Sequence, residues 1–256
     1  MLIATWNVNS VRARLPRLLP WLSKHAPDVV LLQETKVQDE MFPREPLEDA
    51  GYNLVVSGQK TYNGVAILSR HRVEDVVTGF PGDDANADKR VLGGIVKDLM
   101  LLDLYVPNGQ EVGSAKYAAK LDWLARLRRF LDQRYDAKEK LIVAGDFNIT
   151  FDDRDVYDPE ALRETIHCSS RERDALREVC GFGLHDALRH FHAQPGIYTW
   201  WDHRGAAFQR RHGLRIDHFL MSQAALEACE DVFVDVEERK GQGVSDHAPV
   251  FARLKA

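Results

Sequence analysis

The strongest constraint on the fold is the apolar run 141–144, which ends in Gly145 and is followed by Asp146 and Asn148. A short apolar run bounded by a turn residue is typical of a buried strand. Because residues i and i+2 of a strand point to the same side, Asp146 and Asn148 can project together from its C-terminal end. In α/β sheets, ligands bind beyond that end of the strands.

The Asp146/Asn148 pair suits a site that activates water. An ionised carboxylate can accept a proton from water while the neighbouring amide orients the same water without competing for the proton. The pattern Gly-Asp-x-Asn also occurs where a plain Asx-type turn ends a strand. On this motif alone the turn is the favoured interpretation, so the function depends on the rest of the chain.

Length and composition favour one soluble domain over residues 1–256. Hydrophobic residues make up 45% and charged residues 29% of the chain, as in globular proteins. No apolar run approaches the ~18 residues of a membrane span, and the N-terminus has no signal-peptide pattern, so we expect a cytoplasmic protein without membrane contact. Three cysteines without Cys-x-x-Cys spacing argue against a disulfide framework or a zinc cluster.

Apolar periodicity predicts both helices and strands. Pro27 closes an amphipathic helix whose apolar stripe is Leu15, Leu18, Leu19 and Leu22. Ser114 is a candidate N-cap for a helix to about Tyr135, and Ser169 with Glu172 forms a capping box for a helix that Gly181 ends. A further helix begins near Ser222. Strands are predicted at 29–32, 52–56, 65–69, 73–78, 94–97, 100–106, 216–221, 232–236 and 249–254.

Strands both before and after the central helices imply two sheets with helices outside them. The predicted fold class is therefore α/β, in a layered sandwich. The polar connection 151–167 is long for a compact domain, and such loops are often functional. Its aspartates would repel phosphates, so we expect no nucleic-acid contact there except through Arg154 or Arg163.

Polar clusters stand at several strand ends or in the loops beside them: Asn7 with Asn9, Gln33 with Glu34, Asp146 with Asn148, Asp217, and Ser245-Asp246-His247. Each alone has a structural explanation, such as a turn cap or a solvated carboxylate. Together they meet the needs of metal-assisted phosphodiester hydrolysis. Glu34 and Asn7 offer the oxygen ligands that Mg²⁺ prefers. Asp146 can act as the base, while His247, oriented by Asp217, can stabilise charge that develops on phosphorus.

Six segments carry a resemblance to a known family: WNVNSVR at 6–12, LQETK at 32–36, LYVPNG at 104–109, GDFNI at 145–149, GLRID at 213–217 and SDHAP at 245–249. These segments and their order along the chain resemble the motifs of the exonuclease III/AP endonuclease family. The resemblance implies a four-layered α/β sandwich, with two mixed β-sheets flanked by helices. It also implies a hydrolytic DNA repair enzyme that depends on Mg²⁺ or Mn²⁺.

The resemblance further implies a metal site and its ligands. Glu34 corresponds to the main ligand, with Asn7 at the same site. Asp246 takes an outer position, where it assists metal binding or orients its neighbours. Asn9 departs from an aspartate that some relatives have, which removes one carboxylate near the metal.

The same resemblance implies roles in the reaction itself. Asp146 activates the attacking water and Asn148 positions it. His247, held by Asp217, stabilises the charge on phosphorus. Tyr105 lies near the leaving group or the phosphate.

Predicted DNA contacts include Asn108 and two larger groups. Trp200, Leu214 and Ile216 correspond to an apolar wall that accepts a flipped-out sugar without a base, although core packing better explains one of Trp200 and Trp201. A basic cluster in the same loop can follow the phosphate backbone despite the net charge of −5, with surface solvation as the rival interpretation. Its members are Arg204, Arg210, Arg211, His212 and Arg215.

His167 is the departure from the family that bears most on substrate choice. Aligned on Glu172 and Arg173, it falls where abasic-site endonucleases of the family often have glycine, which allows close backbone approach. Our hypothesis is that the imidazole obstructs the continuous strand at an internal abasic site but leaves room for a free 3′ end.

These observations predict a Mg²⁺-dependent DNA phosphodiesterase that works at 3′ ends, as a 3′→5′ exonuclease and 3′-phosphatase in base-excision repair. We expect it to bind double-stranded DNA at 3′ ends, nicks or abasic sites, and to be a monomer. A general abasic-site endonuclease is the alternative. An RNA or phospholipid phosphodiesterase and an inactive DNA-binding protein are further alternatives, the second of which the intact set of catalytic residues disfavours.

Overall fold

Two six-stranded β-sheets face each other in the computed structural model, which describes residues 1–255. The strands are β1 (Leu2–Asn7), β2 (Val29–Gln33), β3 (Asn53–Ser57), β4 (Val65–Ser69), β5 (Glu74–Thr78), β6 (Val91–Val96), β7 (Leu99–Tyr105), β8 (Leu141–Asp146), β9 (Leu184–Asp186), β10 (Asp217–Ser222), β11 (Cys229–Val234) and β12 (Val250–Leu254). The first sheet has the order β11-β12-β1-β2-β4-β3 and the second β5-β6-β7-β8-β10-β9.

Four helices cover the outer faces of the sheets: α1 (Val11–His25), α2 (Arg44–Asp49), α3 (Ala115–Arg134) and α4 (Ser170–Cys180). Two short helices, α5 (Ala187–Phe191) and α6 (Gln223–Ala228), contribute side chains to the core between the sheets. One apolar core fills the space between the sheets, a second joins α3 and α4 to the second sheet, and a third joins α1 and α2 to the first. This is the four-layered α/β sandwich that the sequence predicted. None of the helices within residues 1–255 is long and apolar enough to cross a membrane.

A parallel pair of strands lies inside each sheet, and all other pairings are antiparallel. In the first sheet β1 runs parallel to β2, with Asn7 opposite Gln33. In the second, β7 runs parallel to β8, with Tyr105 opposite Asp146. Both sheets are therefore mixed, as predicted, and the C-terminal ends of both parallel pairs carry predicted site residues. The β2 and β8 strands are wholly buried, which explains their uninterrupted apolar sequences.

The helix signals in the sequence are largely confirmed. Ser114 caps α3 by accepting from the Tyr117 backbone N–H, and Ser169 and Glu172 form the reciprocal capping box of α4. The elements α2, α5 and β9 were not predicted. Each has six residues or fewer, too few to display a hydrophobic period, and β9 is defined by its pairing with β10.

Candidate active site

The predicted catalytic and metal-binding side chains meet where the parallel strand pairs of the two sheets end. Asn7 ends β1 and Asp146 ends β8, while Glu34 follows β2 with a left-handed backbone, φ +49°. Gly145 is required beside Asp146, because a Cβ there would lie 2.0 Å from the Leu104 carbonyl oxygen of β7. The glycine lets β8 lie close to β7 at the point where the carboxylate emerges.

Asn7 joins carboxylates that come from different sheets. Its amide nitrogen donates to Glu34 Oε1 and to Asp146 Oδ2, both at 2.9 Å. Its amide oxygen accepts from the Asn9 backbone N–H at 3.0 Å. In this arrangement Asn7 holds the two carboxylates together, and metal ligation through its oxygen remains a prediction.

His247 lies between two aspartates. Its Nδ1 is 2.9 Å from Asp217 Oδ2, and its Nε2 is 3.7 Å from Asp146 Oδ2. Burial opposes the imidazolium, but the charges of Asp217 and Asp146 outweigh burial and raise the pKa of His247 to about 10. The ring is therefore a cation at neutral pH, with both N–H groups available as donors.

Neighbouring hydroxyl groups fix the positions of Asp217 and of the segment that contains His247. The Thr199 hydroxyl accepts from the backbone N–H of Asp217 at 3.1 Å. The Ser245 hydroxyl donates to the Asn7 carbonyl at 2.7 Å and accepts from the His247 backbone N–H at 3.2 Å. The SDHAP segment is thereby held against β1.

The environment of Asp146 suits a general base. Burial raises its pKa to about 7, with the charges of Asp217 and Glu34 adding to the rise while His247 and the Asn7 hydrogen bond oppose it. A carboxyl that titrates near neutral pH can take a proton from water more readily than an ordinary aspartate can.

Asn148 is held close to Asp146 by its backbone and its amide. Its backbone N–H donates to Asp146 Oδ1 at 2.9 Å, with φ at +53°. Its amide nitrogen donates to the Val106 carbonyl at 3.0 Å, and its amide oxygen accepts from Asn108 Nδ2 at 3.1 Å. Asn108 thus contacts Asn148 directly, and its predicted DNA contact is untested.

Tyr105 borders the carboxylate cluster and is neutral. Burial, followed by the charges of Glu34 and Asp146, raises the pKa of its hydroxyl above the ordinary value. The Arg90 guanidinium lies 4.6 Å from the ring centroid. The sequence analysis did not identify Arg90, because it lies outside all six motifs and comes close to Tyr105 only when β6 pairs with β7.

The donor set fits a hard divalent cation. Ligand atoms of Glu34, Asp146 and His247 lie within 4.8 Å of one another. Since His247 is held as a cation, the oxygen donors are those of Glu34 and Asp146, the type that Mg²⁺ prefers. Lys36, which belongs to the motif at 32–36 but had no predicted role, places its Nζ 2.8 Å from Glu34 Oε2. Its charge balances part of the negative charge of Glu34 and Asp146.

Asp246 lies beside this group rather than in it. Its two oxygens accept from Asn9 Nδ2 at 2.9 Å and from Trp200 Nε1 at 3.0 Å. Burial opposes the carboxylate, but the His247 charge and those two hydrogen bonds lower the pKa of Asp246 to about 2. Of its two predicted roles, the contacts favour orientation of neighbouring side chains, and metal binding remains a prediction.

The predicted apolar wall forms one small cluster. Leu214, Ile216 and the partly exposed Trp200 pack with Val156 and Cys168. Trp201 is 4% exposed and packs with Ala207 and Ala248 in a separate cluster, so core packing explains this tryptophan, as expected for one of the two. Contact of the wall with a sugar is a prediction.

The predicted DNA contact of Arg215 is wrong. Its side chain is fully buried and lies 2.7 Å from Asp155 Oδ1 and 2.6 Å from Asp186 Oδ2. It therefore neutralises two buried carboxylates, one of which belongs to the loop 151–167. The other four members of the basic cluster are exposed, as a phosphate-tracking surface requires, and their contact with DNA is untested.

His167 is buried beside the wall and above Asn148. Its Nδ1 lies 2.6 Å from the Asn148 carbonyl, its ring centroid is 6.2 Å from that of Trp200, and its backbone is left-handed with φ +70°. Burial, then the Lys120 charge, lowers the pKa of His167 to about 3, so the ring is neutral. Because a carbonyl only accepts, Nδ1 carries the proton.

Three comparisons describe what the chain is similar to. A family model described as Endonuclease/Exonuclease/phosphatase family matches residues 4–247. Exodeoxyribonuclease III of Haemophilus influenzae is 34% identical over 267 residues, 100% of both chains. The structure of the 3′ phosphatase NExo from Neisseria, bound to a product DNA hairpin, gives a TM-score of 0.96 at 44% identity and 100% coverage of both chains. An AP endonuclease from Archaeoglobus fulgidus gives 0.96 at 35% identity, also over 100% of both chains.

Proposed function

Because the chain belongs to the endonuclease/exonuclease/phosphatase family and is a DNA repair nuclease, we propose that it hydrolyses phosphoesters at DNA 3′ ends with Mg²⁺ as its metal. Its substrates would be duplexes with recessed or nicked 3′ ends, including ends blocked by a 3′ phosphate. We further propose that it acts as a monomer in the cytoplasm. The observation that carries the proposal is the convergence of Asp146, Asn148 and His247 beside Glu34.

Three side chains act directly on the water and the phosphate in the proposed reaction. Asp146 takes a proton from water, and the water oxygen attacks phosphorus from a position that Asn148 fixes. The imidazolium of His247 donates to a phosphate oxygen and stabilises its developing charge. The bond from phosphorus to the 3′ oxygen breaks, and that oxygen takes a proton to give a 3′ hydroxyl.

The metal would be held chiefly by Glu34, with Asp146 as the neighbouring oxygen donor. When bound, a divalent cation supplies positive charge that polarises the phosphate and lowers the cost of the leaving oxygen's charge. Tyr105, neutral at every ordinary pH, can donate its hydroxyl proton to a phosphate oxygen without adding charge.

Two features of His167 support the preference for 3′ ends. The ring lies over the Asn148 carbonyl and near Trp200, so it fills space between the catalytic loop and the apolar wall. The left-handed backbone of His167 is one that glycine adopts without strain, so replacing His167 by glycine removes the ring while the backbone can keep its path. A strand that continues through the site must pass this ring, whereas a strand that ends there need not.

The test uses two labelled duplexes with Mg²⁺, Mn²⁺ or a chelator. One has a recessed 3′ end, and the other has a single internal abasic-site analogue with protected ends. We expect trimming of the first and little cutting of the second. Glu34→Ala and Asp146→Asn should each lower the rate on the order of 10²-fold or more while the circular dichroism spectrum stays native.

The selectivity of His167 is tested on the same duplexes. His167→Gly should raise the ratio of abasic cutting to 3′ trimming about tenfold or more, the scale on which steric changes in a pocket separate substrates. His167→Asn is the matched control, because asparagine also tolerates a left-handed backbone and has a smaller side chain. Unchanged ratios in both variants, with unchanged thermal stability, would overturn the role of His167.

A general abasic-site endonuclease is the second candidate function. The apolar wall of Trp200, Leu214 and Ile216 favours it, because such a wall suits a sugar that lacks a base. Efficient cutting of the internal abasic duplex by the unmodified protein would establish this alternative and reduce His167 to a loop residue.

A further inference from the structure

A buried ion pair joins α3 to α4 behind the candidate active site. Lys120 Nζ lies 2.5 Å from Glu172 Oε1, and both side chains are completely shielded from solvent. Desolvation makes such pairs weak sources of stability. The capping box of α4 uses the other carboxylate oxygen of Glu172, so the lysine is not needed for the cap.

The remaining N–H groups of Lys120 are directed at the catalytic loops. Nζ donates to the Asn148 carbonyl at 2.7 Å and to the Asn108 carbonyl at 3.1 Å. An ammonium has three N–H donors, and with Glu172 all three are used. Gly109 makes room for the lysine, since a Cβ there would lie 3.0 Å from Lys120 Cδ and φ is +88°.

Glu172 extends the same network to the His167 loop. Its Oε1 accepts from the His167 backbone N–H at 3.2 Å, and the His167 ring donates to the Asn148 carbonyl at 2.6 Å. The contacts close a ring of four residues: Lys120, Asn148, His167 and Glu172. The network thereby connects the loop after β7 with both ends of the connection between β8 and α4.

We propose that Lys120 and Glu172 are positioning residues, which set the angle at which Asn148 presents its amide to the attacking water. Asn148 has a left-handed backbone with φ +53°, which asparagine tolerates, so the backbone conformation alone does not require a restraint. Its orientation is set by the two donors on its carbonyl, Lys120 Nζ and His167 Nδ1. The inference rests on the proposed function, because it assigns to the pair a part in the rate of phosphoester hydrolysis.

The test replaces both charges at once, as Lys120→Met with Glu172→Gln, so that no carboxylate is left buried without a partner. We expect kcat on the recessed 3′ end to fall on the order of 10²-fold, the cost of a small misplacement of reacting groups. KM and the Kd for DNA should change less than about twofold, because neither residue reaches the surface.

The exposed pair Lys140–Asp98, 2.6 Å apart, gives the matched control, Lys140→Met with Asp98→Asn, which should leave kcat unchanged. A second readout is amide hydrogen exchange, which should accelerate at 147–150 and 166–169 in the Lys120/Glu172 double variant while α3 and α4 stay protected.

A merely structural pair gives a different result. If the pair only stabilised the fold, the double variant would have a lower melting temperature and a smaller fraction of enzyme that binds phosphorothioate-ended DNA. Each molecule that still bound DNA would keep the original kcat, and that outcome would overturn the inference. If the unmodified protein cut no DNA 3′ end with Mg²⁺ or Mn²⁺, the proposed function would fail. The exchange data would then decide by themselves whether the pair orders the loops.

Discussion

Asp103 and Gln33 meet in the centre of the molecule, where β7 of one sheet faces β2 of the other. Gln33 Nε2 donates to Asp103 Oδ1 at 2.6 Å, and within residues 1–255 neither Asp103 Oδ2 nor Gln33 Oε1 has a hydrogen-bond partner. Burial raises the pKa of Asp103 well above its ordinary value. Burial therefore favours the protonated carboxyl, whose O–H can supply a donor that the site otherwise lacks.

Asp103→Asn should stabilise the protein at neutral pH. Above about pH 4 the unfolded chain releases the Asp103 proton more readily than the folded chain, whose pKa at this group is raised, so the unmodified protein loses stability as pH rises. The amide cannot ionise and avoids this loss. Melting temperatures measured from pH 4 to 8 should show a gain that grows with pH, about 2–4 °C for each 1 kcal/mol. The exposed variant Asp132→Asn should show no such gain, and a pH-independent difference for Asp103→Asn would contradict the prediction.

The residues of the site could be predicted from sequence because they belong to motifs at strand ends. The family predicted from those motifs is confirmed. Their contacts could not be predicted, because Asn7 and Asp146 are 139 positions apart and meet only when the sheets pack. Lys120 and Glu172 were invisible for a related reason. Lys120 lies inside the helix predicted after Ser114, where a lysine gives no sign of burial. Glu172 was fully explained by its capping box.

Among the elements, the loop 151–167 shows how far tertiary structure departs from sequence polarity. The sequence analysis described it as a polar connection whose aspartates would repel phosphates, yet Asp155 is fully buried between Arg215 and Arg189. Arg215 also donates to Asp186 at the end of β9. The arginine looked like a surface residue because its partners lie 60 and 29 positions away. Strands with long apolar runs and helices with caps carried their own signals and were predicted.

Arg215→Met should destabilise the protein strongly. It leaves Asp155 and Asp186 buried beside an apolar side chain, a loss of about 3–5 kcal/mol, which corresponds to roughly 6–20 °C in melting temperature. Arg215→Lys should recover only part of this, because an ammonium cannot bind two carboxylates in the bidentate manner of a guanidinium. Thermal unfolding monitored by circular dichroism measures both. A change of a degree or less in Arg215→Met would contradict the buried ion cluster, and the exposed Arg211→Met serves as control.

The molecule as a whole carries a net charge of −5, so contact with DNA must depend on a local basic surface. Arg210, Arg211 and His212 are exposed and lie in the loop that leads to the apolar wall. Arg215 belongs to the same stretch of sequence but is not part of this surface. The two kinds of arginine should therefore differ in their effect on DNA binding.

The salt dependence of DNA binding should distinguish the exposed arginines from the buried Arg215. Arg210→Gln should reduce the slope of log Kd against log salt concentration by about 1, because one phosphate contact is lost. Arg215→Lys should leave that slope unchanged, whatever it does to stability. Fluorescence anisotropy with a 3′-recessed duplex and a chelator present gives the slopes. Equal slopes for Arg210→Gln and the unmodified protein would show that DNA does not follow this loop.

The pairing of β1 with β12 has a consequence for the order in which the protein acquires activity. Residues 250–254 must be synthesised before β1 can acquire this partner, and His247 lies just before them in the chain. Until β12 pairs with β1, Asn7 and Glu34 belong to a sheet that lacks one of its inner strands. A nascent chain therefore contains Asn7 and Glu34, the residues proposed to hold the metal, long before it contains His247. Fragments that end before His247 lack the imidazolium that is proposed to stabilise charge on phosphorus, so we expect them to have no nuclease activity.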